Sequence, residues 1–296
     1  MVSEEMYRLG TKKSTIRSIF EYGRQRAAEV GAENVFDFSL GNPNVPAPDF
    51  IRDAAVDILM HNDPIEVHGY TIAPGKPEVR ETIAADLSKR LDMRVAGKNL
   101  FMTAGAAASV TIVFKALCEA GDEFVTFAPF FPEYRVFVES VGGRLTVVPA
   151  KTDDFQINFD AFEHAVTSKT KAVIVNSPNN PSGAVYNAET ITRLADFLRR
   201  KEEEYGHTIF IIADEPYREI VYVEAAVPCI PNFYDDTIVC YSYSKSFSLP
   251  GERIGYILVP DTAADFDRVY GAIAGAARVL THVNAPSLWQ LVAARC

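Results

Sequence analysis

The chain has 296 residues, 48% hydrophobic and 23% charged, proportions that suit a soluble globular protein with one large core, or one large and one small domain. A net charge of −10 argues against a nucleic-acid-binding surface, and the longest apolar stretches, such as 110–117, are interrupted and too short to span a bilayer. Residues 1–10 carry Glu4 and Glu5 and no apolar run, unlike a secretory signal.

Positions 14–30 place Ile16, Ile19, Phe20, Ala27 and Val30 at helical spacing, with Ser14 as the N-cap. A short apolar run, 36–40, is followed by Gly-Asn-Pro-Asn-Val-Pro at 41–46, whose composition predicts a loop and a domain junction. Seven apolar runs then read as buried strands: 100–103, 124–127, 145–148, 172–175, 209–213, 238–241 and 254–259. Helical patterns at 106–120, 132–141, 159–166 and 189–205 separate most of them. Apolar strands alternating with helices predict an α/β fold, a mainly parallel seven-stranded sheet with helices on both faces. The segment between 241 and 254 is short for a helical crossover, so the last strand is expected to be antiparallel. Positions 261–277 and 286–295 read as helices. The chain stops inside the second of these with no cap, as a cut longer protein would. Cys118, Cys229, Cys240 and Cys296 form no CxxC pair, and reduced thiols in a cytoplasmic protein are the expectation. The five histidines are scattered with no H-E-x-x-H pattern, so no metal site is expected.

In open α/β sheets ligands bind at the carboxyl ends of strands. The residues following the predicted strands are Ala-Gly-Ala-Ala-Ala-Ser at 104–109, Asn-Ser-Pro-Asn-Asn-Pro-Ser-Gly at 176–183, Asp-Glu-Pro-Tyr at 214–217 and Ser-Tyr-Ser-Lys-Ser-Phe-Ser at 242–248. Small residues opening a helix present free N–H groups to a phosphate. A carboxylate can hold a ring nitrogen protonated, and a lysine can condense with an aldehyde once burial or a partner lowers its pKa. Taken singly, each has a plainer reading: a helix packed close to a sheet, a turn cap at Asp214, a turn at 179–183, a solvated lysine, a core tyrosine. The order and joint placement carry the chemical reading.

Asn-Asn-Pro-Ser-Gly, then Asp-Glu-x-Tyr, then Ser-x-Ser-Lys followed by Gly-Glu-Arg-Ile-Gly resembles the class I/II aminotransferases, fold-type I enzymes dependent on pyridoxal 5′-phosphate. The resemblance runs from about Gly41 to the end of the chain. It implies Lys245 as the Schiff-base lysine and proton carrier, and Asp214 as partner of the cofactor's pyridinium nitrogen. It implies Tyr217 and Asn180 as partners of the phenolic oxygen. Gly105, Ala106 and Ala107, with Ser242 and Arg253, would hold the phosphate, and Phe131 would stack on the ring. Tyr70 would reach the phosphate of a neighbouring subunit, making a homodimer with shared sites. Gly41, and Asn180 again, would lie beside the substrate carboxylate. The chain departs from the family in having Ala106 and Ala107 where polar side chains are common, and Pro216 inside the Asp-Glu-x-Tyr motif. It has no residue assignable to the arginine that grips the substrate α-carboxylate; Arg278, near a second family arginine, reads as a surface residue. The division implied is 1–46 as an arm and part of a small domain, and 47–296 as the large cofactor domain, with the C-terminal small domain incomplete. The expected activity is amino transfer between an amino acid, aspartate first, and a 2-oxo acid in amino-acid metabolism. A C–S lyase of the same fold and a non-catalytic cofactor-binding module stay open as alternatives.

Overall fold

A computed structural model describes residues 1–11, 15–39 and 41–296. Ser14, the expected N-cap, and Leu40 lie outside the described residues. The chain divides into two compact units, Met1–Pro46 and Ala47–Cys296. The first holds α1 (Glu4–Thr11) and α2 (Thr15–Val30), followed by a 3-10 turn, Ala32–Asn34. The α1 helix buries no residue.

The second unit is built on one sheet, in the order β1-β7-β6-β5-β4-β2-β3. Its strands are β1 (Leu100–Thr103), β2 (Glu123–Phe127), β3 (Arg144–Val148), β4 (Thr170–Asn176), β5 (Phe210–Asp214), β6 (Thr237–Ser242) and β7 (Gly255–Leu258). β3, β2, β4, β5 and β6 pair in parallel; β7 runs antiparallel to both β6 and β1. The short 243–254 connection therefore reverses the chain as its length predicts, through α10 (Tyr243–Ser246).

Side chains alternate between two cores, as a period of two requires. Val173, Val175, Ile211 and Ala213 face one cluster, with α5 (Pro77–Arg90), α8 (Phe159–Ala165) and α9 (Ala188–Tyr205) packed over them. Ala172, Ile174, Phe210 and Ile212 face the other, beneath α6 (Ala106–Leu117), α7 (Glu133–Ser140) and α11 (Phe266–Val279). Burying each large apolar side chain contributes about 1.5–3 kcal/mol, so the near-continuous apolar strands suit a sheet covered on both sides.

The sequence reading names no helix between 47 and 99, where the structure has three: α3 (Asp49–His61), α4 (Pro64–His68) and α5, whose buried Val79, Ile83 and Leu87 lie at helical spacing. In α3 the reason is physical. Ile51 and Ile58 are buried while Phe50, Val56, Leu59 and Met60 are exposed, so apolar residues ring the helix and blur its period. Two expected helices are shorter than their patterns. The run from 106 stops at Leu117, with Cys118 extended, and the run from 261 begins only at Phe266, after Asp265 in the left-handed region at φ 53°. The final helix is α12 (Ser287–Arg295). Among the described residues, no helix is long and apolar enough to cross a membrane. The four cysteines are free thiols.

Candidate active site

Strand register brings the chemistry to one rim. Asp214 ends β5 beside Asn176 on β4 and Cys240 on β6. On the far side of β6, Ser242 pairs with Gly255, and Gly255 pairs with Thr103 at the end of β1. A Cβ at Gly255 would lie 2.2 Å from the Tyr241 carbonyl oxygen and 3.1 Å from the Gly105 Cα. Only glycine lets these backbones meet, and the contact sets the loop after β1 against the end of β6.

Asp214 is buried, at 6% exposure. Its backbone oxygen accepts from Asn176 Nδ2 at 2.8 Å, and its Oδ2 accepts a very short hydrogen bond from the Tyr134 hydroxyl. Its Oδ1 is buried with no hydrogen-bond partner among the described residues. Burial, and secondarily the neighbouring Glu215 charge, push the carboxyl up to about 6; the Tyr134 hydrogen bond offsets part of this. Buried polar atoms almost always find partners, so a carboxylate oxygen left bare at a strand end is aimed at something the described residues do not supply. Tyr134 itself is fully buried, and its phenol is pushed well above its usual range by burial and by Asp214, so it acts as a fixed donor.

Asn176 joins two loops. Its Oδ1 accepts from the Asn180 backbone N–H at 2.6 Å, while its Nδ2 holds Asp214. Asn180 Nδ2 donates to the Tyr217 hydroxyl at 3.2 Å, so the phenol's own proton stays available for another acceptor. Burial and the Asp214 charge raise the Tyr217 phenol, keeping that proton in place at neutral pH. The loop is stiffened by Asn179, whose Oδ1 accepts from the Ser182 N–H at 3.0 Å and hydroxyl at 2.8 Å. Behind it, Glu215 and Arg218 form a buried two-point ion pair at 2.6 and 2.7 Å. Arg218 also donates to the carbonyls of Val227 and Pro228, tying down the segment that follows.

Lys245 lies in α10, which continues directly from β6, and burial lowers its amine pKa. Ser242 is buried and caps α10, accepting from the Ser244 N–H at 3.2 Å. Gly105 caps α6 at φ 89°, leaving the N–H groups of the first turn, Ala106 and Ala107 among them, without helical acceptors. The Arg253 guanidinium borders this turn: a Cβ on Gly105 would come 2.9 Å from its Nη2. Arg253 also donates to the Pro250 carbonyl at 2.8 Å and holds a left-handed φ of 53°. Phe131 is half-buried, edge-on to Tyr134 at 5.5 Å between ring centres.

One expected residue, Tyr70, is not gathered with these. Tyr70, at 99% exposure, stands out from the surface after α4. Gly41 belongs to the Met1–Pro46 unit. Arg278 is exposed, as its surface reading expects. Tyr134 and Arg218 lie outside the motifs, and Asn176 and Glu215 lie within them but are given no role there. Tyr134 had a legible signal: with Val138 it makes a buried i, i+4 pair on a helix expected at 132–141. No group of three or more metal-ligating side chains forms among the described residues.

The sheet order, the buried strand-end carboxylate and the lysine one strand over define a fold-type I α/β protein with a candidate cofactor site. The sequence model of the aminotransferase class I and II family matches residues 33–296, and the chain belongs to that family. An amino transferase from Eubacterium rectale is 54% identical in its crystal structure, with a TM-score of 0.98 over 100% of this chain and 75% of that one. An aspartate aminotransferase from Thermus thermophilus shares the fold at a TM-score of 0.80 and 23% identity, over 99% of this chain and 73% of that one. A probable aspartate/prephenate aminotransferase from Aquifex aeolicus is 34% identical over 81% of this chain and 60% of its own length. An aspartate aminotransferase from Thermotoga maritima is 31% identical over 78% and 60%. The chain thus spans about three fifths of the length of the curated relatives it matches.

Proposed function

We propose that this chain carries the cofactor site of a pyridoxal 5′-phosphate-dependent aminotransferase, which moves an amino group between an amino acid and a 2-oxo acid. The observation that carries the reading is Asp214 Oδ1, buried and unpartnered at the strand end. The donor set suits the cofactor. Asp214 would hold its pyridinium nitrogen, and Tyr217 and Asn180 its phenolic oxygen. The N–H groups after Gly105, at Ala106 and Ala107, would hold its phosphate with Ser242 and Arg253, and Phe131 would cover its ring. Once bound, the cofactor supplies an aldehyde for the amino group and a protonated ring that accepts the electron pair left at a substrate α-carbon.

The chain's own residues do the rest. Tyr134 and Asn176 orient Asp214. The Glu215–Arg218 ion pair fixes the segment that follows it. Lys245 Nζ, with its pKa lowered by burial, would be the amine that holds the cofactor's aldehyde carbon and would carry the proton at the substrate α-carbon. Gly41, with Asn180, is the substrate-side contact. Tyr70, exposed here, is the residue offered to a second copy, which makes the working form a homodimer. Residues 1–46 act as an arm with part of a small domain, and 47–296 as the cofactor domain. Aspartate as the donor, and amino transfer over C–S cleavage, are supported by the names of the relatives; free thiols support a cytoplasmic location.

The test is the visible absorbance of the protein with pyridoxal 5′-phosphate, for wild type and Lys245→Ala, before and after a panel of amino acids. A Lys245-dependent band that bleaches with particular amino acids supports both site and half-reaction. A Lys245-dependent band that no amino acid alters retains the site and removes the transfer reading. The absence of any band in folded wild-type protein refutes the site.

A further inference from the structure

On the side of the sheet away from α6, a polar chain runs from the core at Tyr241 out to the surface at Arg90 and Asp86. Tyr241, on β6, is buried at 4% exposure between Tyr256, stacked at 4.9 Å, and Tyr243, edge-on at 5.2 Å. Its hydroxyl lies 3.0 Å from Glu219 Oε2 and 2.9 Å from Ser246 Oγ. A phenol has one proton, and the carboxylate can only accept, so Tyr241 donates to Glu219 and Ser246 donates to Tyr241. Glu219 is itself held by Arg90 at 3.2 Å, and Arg90 by Asp86 at 2.6 Å. A cavity of about 460 Å³ opens beside these groups.

The two partners of Tyr241 sit in the two segments that present the candidate chemistry. Ser246 follows Lys245 in α10. Glu219 lies inside the turn that Tyr217 begins, closed by Ile220 N–H donating to the Tyr217 carbonyl at 2.9 Å. The aromatic box around Tyr241 needs no hydroxyl, since phenylalanine would fill the same space. The hydroxyl brings instead a directional link between α10 and the 217–220 turn, made in a setting where an unpaired polar atom is costly. Burial and Glu219 raise the Tyr241 phenol well above its usual range, so it stays a donor throughout neutral pH.

We infer that Tyr241 is a positioning residue: its hydroxyl, clamped between Ser246 and Glu219, fixes the Lys245 helix against the Tyr217 turn. The inference rests on the reading of Lys245 and Tyr217 as site residues. Without the link α10 loosens, water reaches Lys245 more freely, and the burial that lowers its amine pKa is partly lost.

The experiment compares wild type with Tyr241→Phe, Ser246→Ala and the double variant, using the full 296-residue chain. The first readout is the pH dependence of Lys245 acylation, followed by peptide mass spectrometry. The second is the pH midpoint of the visible band formed with pyridoxal 5′-phosphate. Both midpoints are expected to rise by about half a pH unit or more in each single variant, with the double variant no further shifted than the larger single. Tyr234→Phe is the control: that hydroxyl is equally buried but donates to the Ile209 carbonyl at 2.8 Å, remote from α10, and its loss should leave both midpoints unchanged. Ser246→Ala carries the test if Tyr241→Phe does not fold. Unmoved midpoints, with a band that Lys245→Ala abolishes, overturn the role of Tyr241 and leave the site reading intact. A midpoint moved as far by Tyr234→Phe overturns it too, as a general effect of stability. A band that survives Lys245→Ala overturns the site reading and the inference with it.

Discussion

Asp214→Asn, in the protein freed of cofactor, tests whether a buried carboxylate is held at a thermodynamic cost. The folded-state pKa is raised from 3.8 to about 6. The sign follows from proton binding: between those values the native state holds a proton that the unfolded state has released. Stability from this group is therefore full below about pH 4 and is lost as pH rises through 6. Roughly two units at about 1.4 kcal/mol each give about 3 kcal/mol. Asparagine cannot ionise, so this slope disappears in the variant, whatever constant offset its amide introduces. The unfolding free energy of wild type minus that of Asp214→Asn should fall by about 2–2.5 kcal/mol from pH 4 to pH 7, most of the full shift, measured by urea denaturation across that range. A difference independent of pH would mean that Asp214 ionises normally. A difference that grows with pH would mean that its charged form is stabilised by the fold, and the argument from the bare Oδ1 would fail.

Saturating pyridoxal 5′-phosphate should remove most of that slope in wild type, because a cation beside Asp214 restores the charged form; urea titrations at pH 5 and 7 with and without cofactor compare the two. Gly105→Ala places a Cβ at φ 89° and 2.9 Å from the Arg253 guanidinium. It should lower stability by about 1–3 kcal/mol and weaken cofactor binding in a fluorescence titration. Arg218→Met strands the buried Glu215 charge and should cost about 3–5 kcal/mol in urea unfolding, and adding Glu215→Gln should recover part of the loss.

Some of this was legible in the residues alone. Near-continuous apolar runs at 172–175 and 209–213 determined strands buried on both faces, because a half-solvated strand would alternate. The short Ser-, Pro- and Gly-containing link after β6 determined the antiparallel β7, because a parallel return needs more chain. The order of Asp214, Tyr217 and Lys245 at successive strand ends determined a candidate site, because strand ends of such a sheet converge on one rim.

Tertiary structure decided what those side chains experience. No local pattern tells that Tyr134, eighty positions away, occupies one oxygen of Asp214 and leaves the other bare. Nor does it tell that Asn176 bridges Asp214 to Asn180, or that Tyr241 links Ser246 to Glu219. Helix α3 is not legible in the sequence because its apolar residues surround it, and only the packing selects Ile51 and Ile58 as its inner face. Sequence order sets which groups can arrive at the rim. Burial and hydrogen-bond partners come from segments far apart in the chain, and they decide which of those groups is charged, which donates and which is left waiting for a partner.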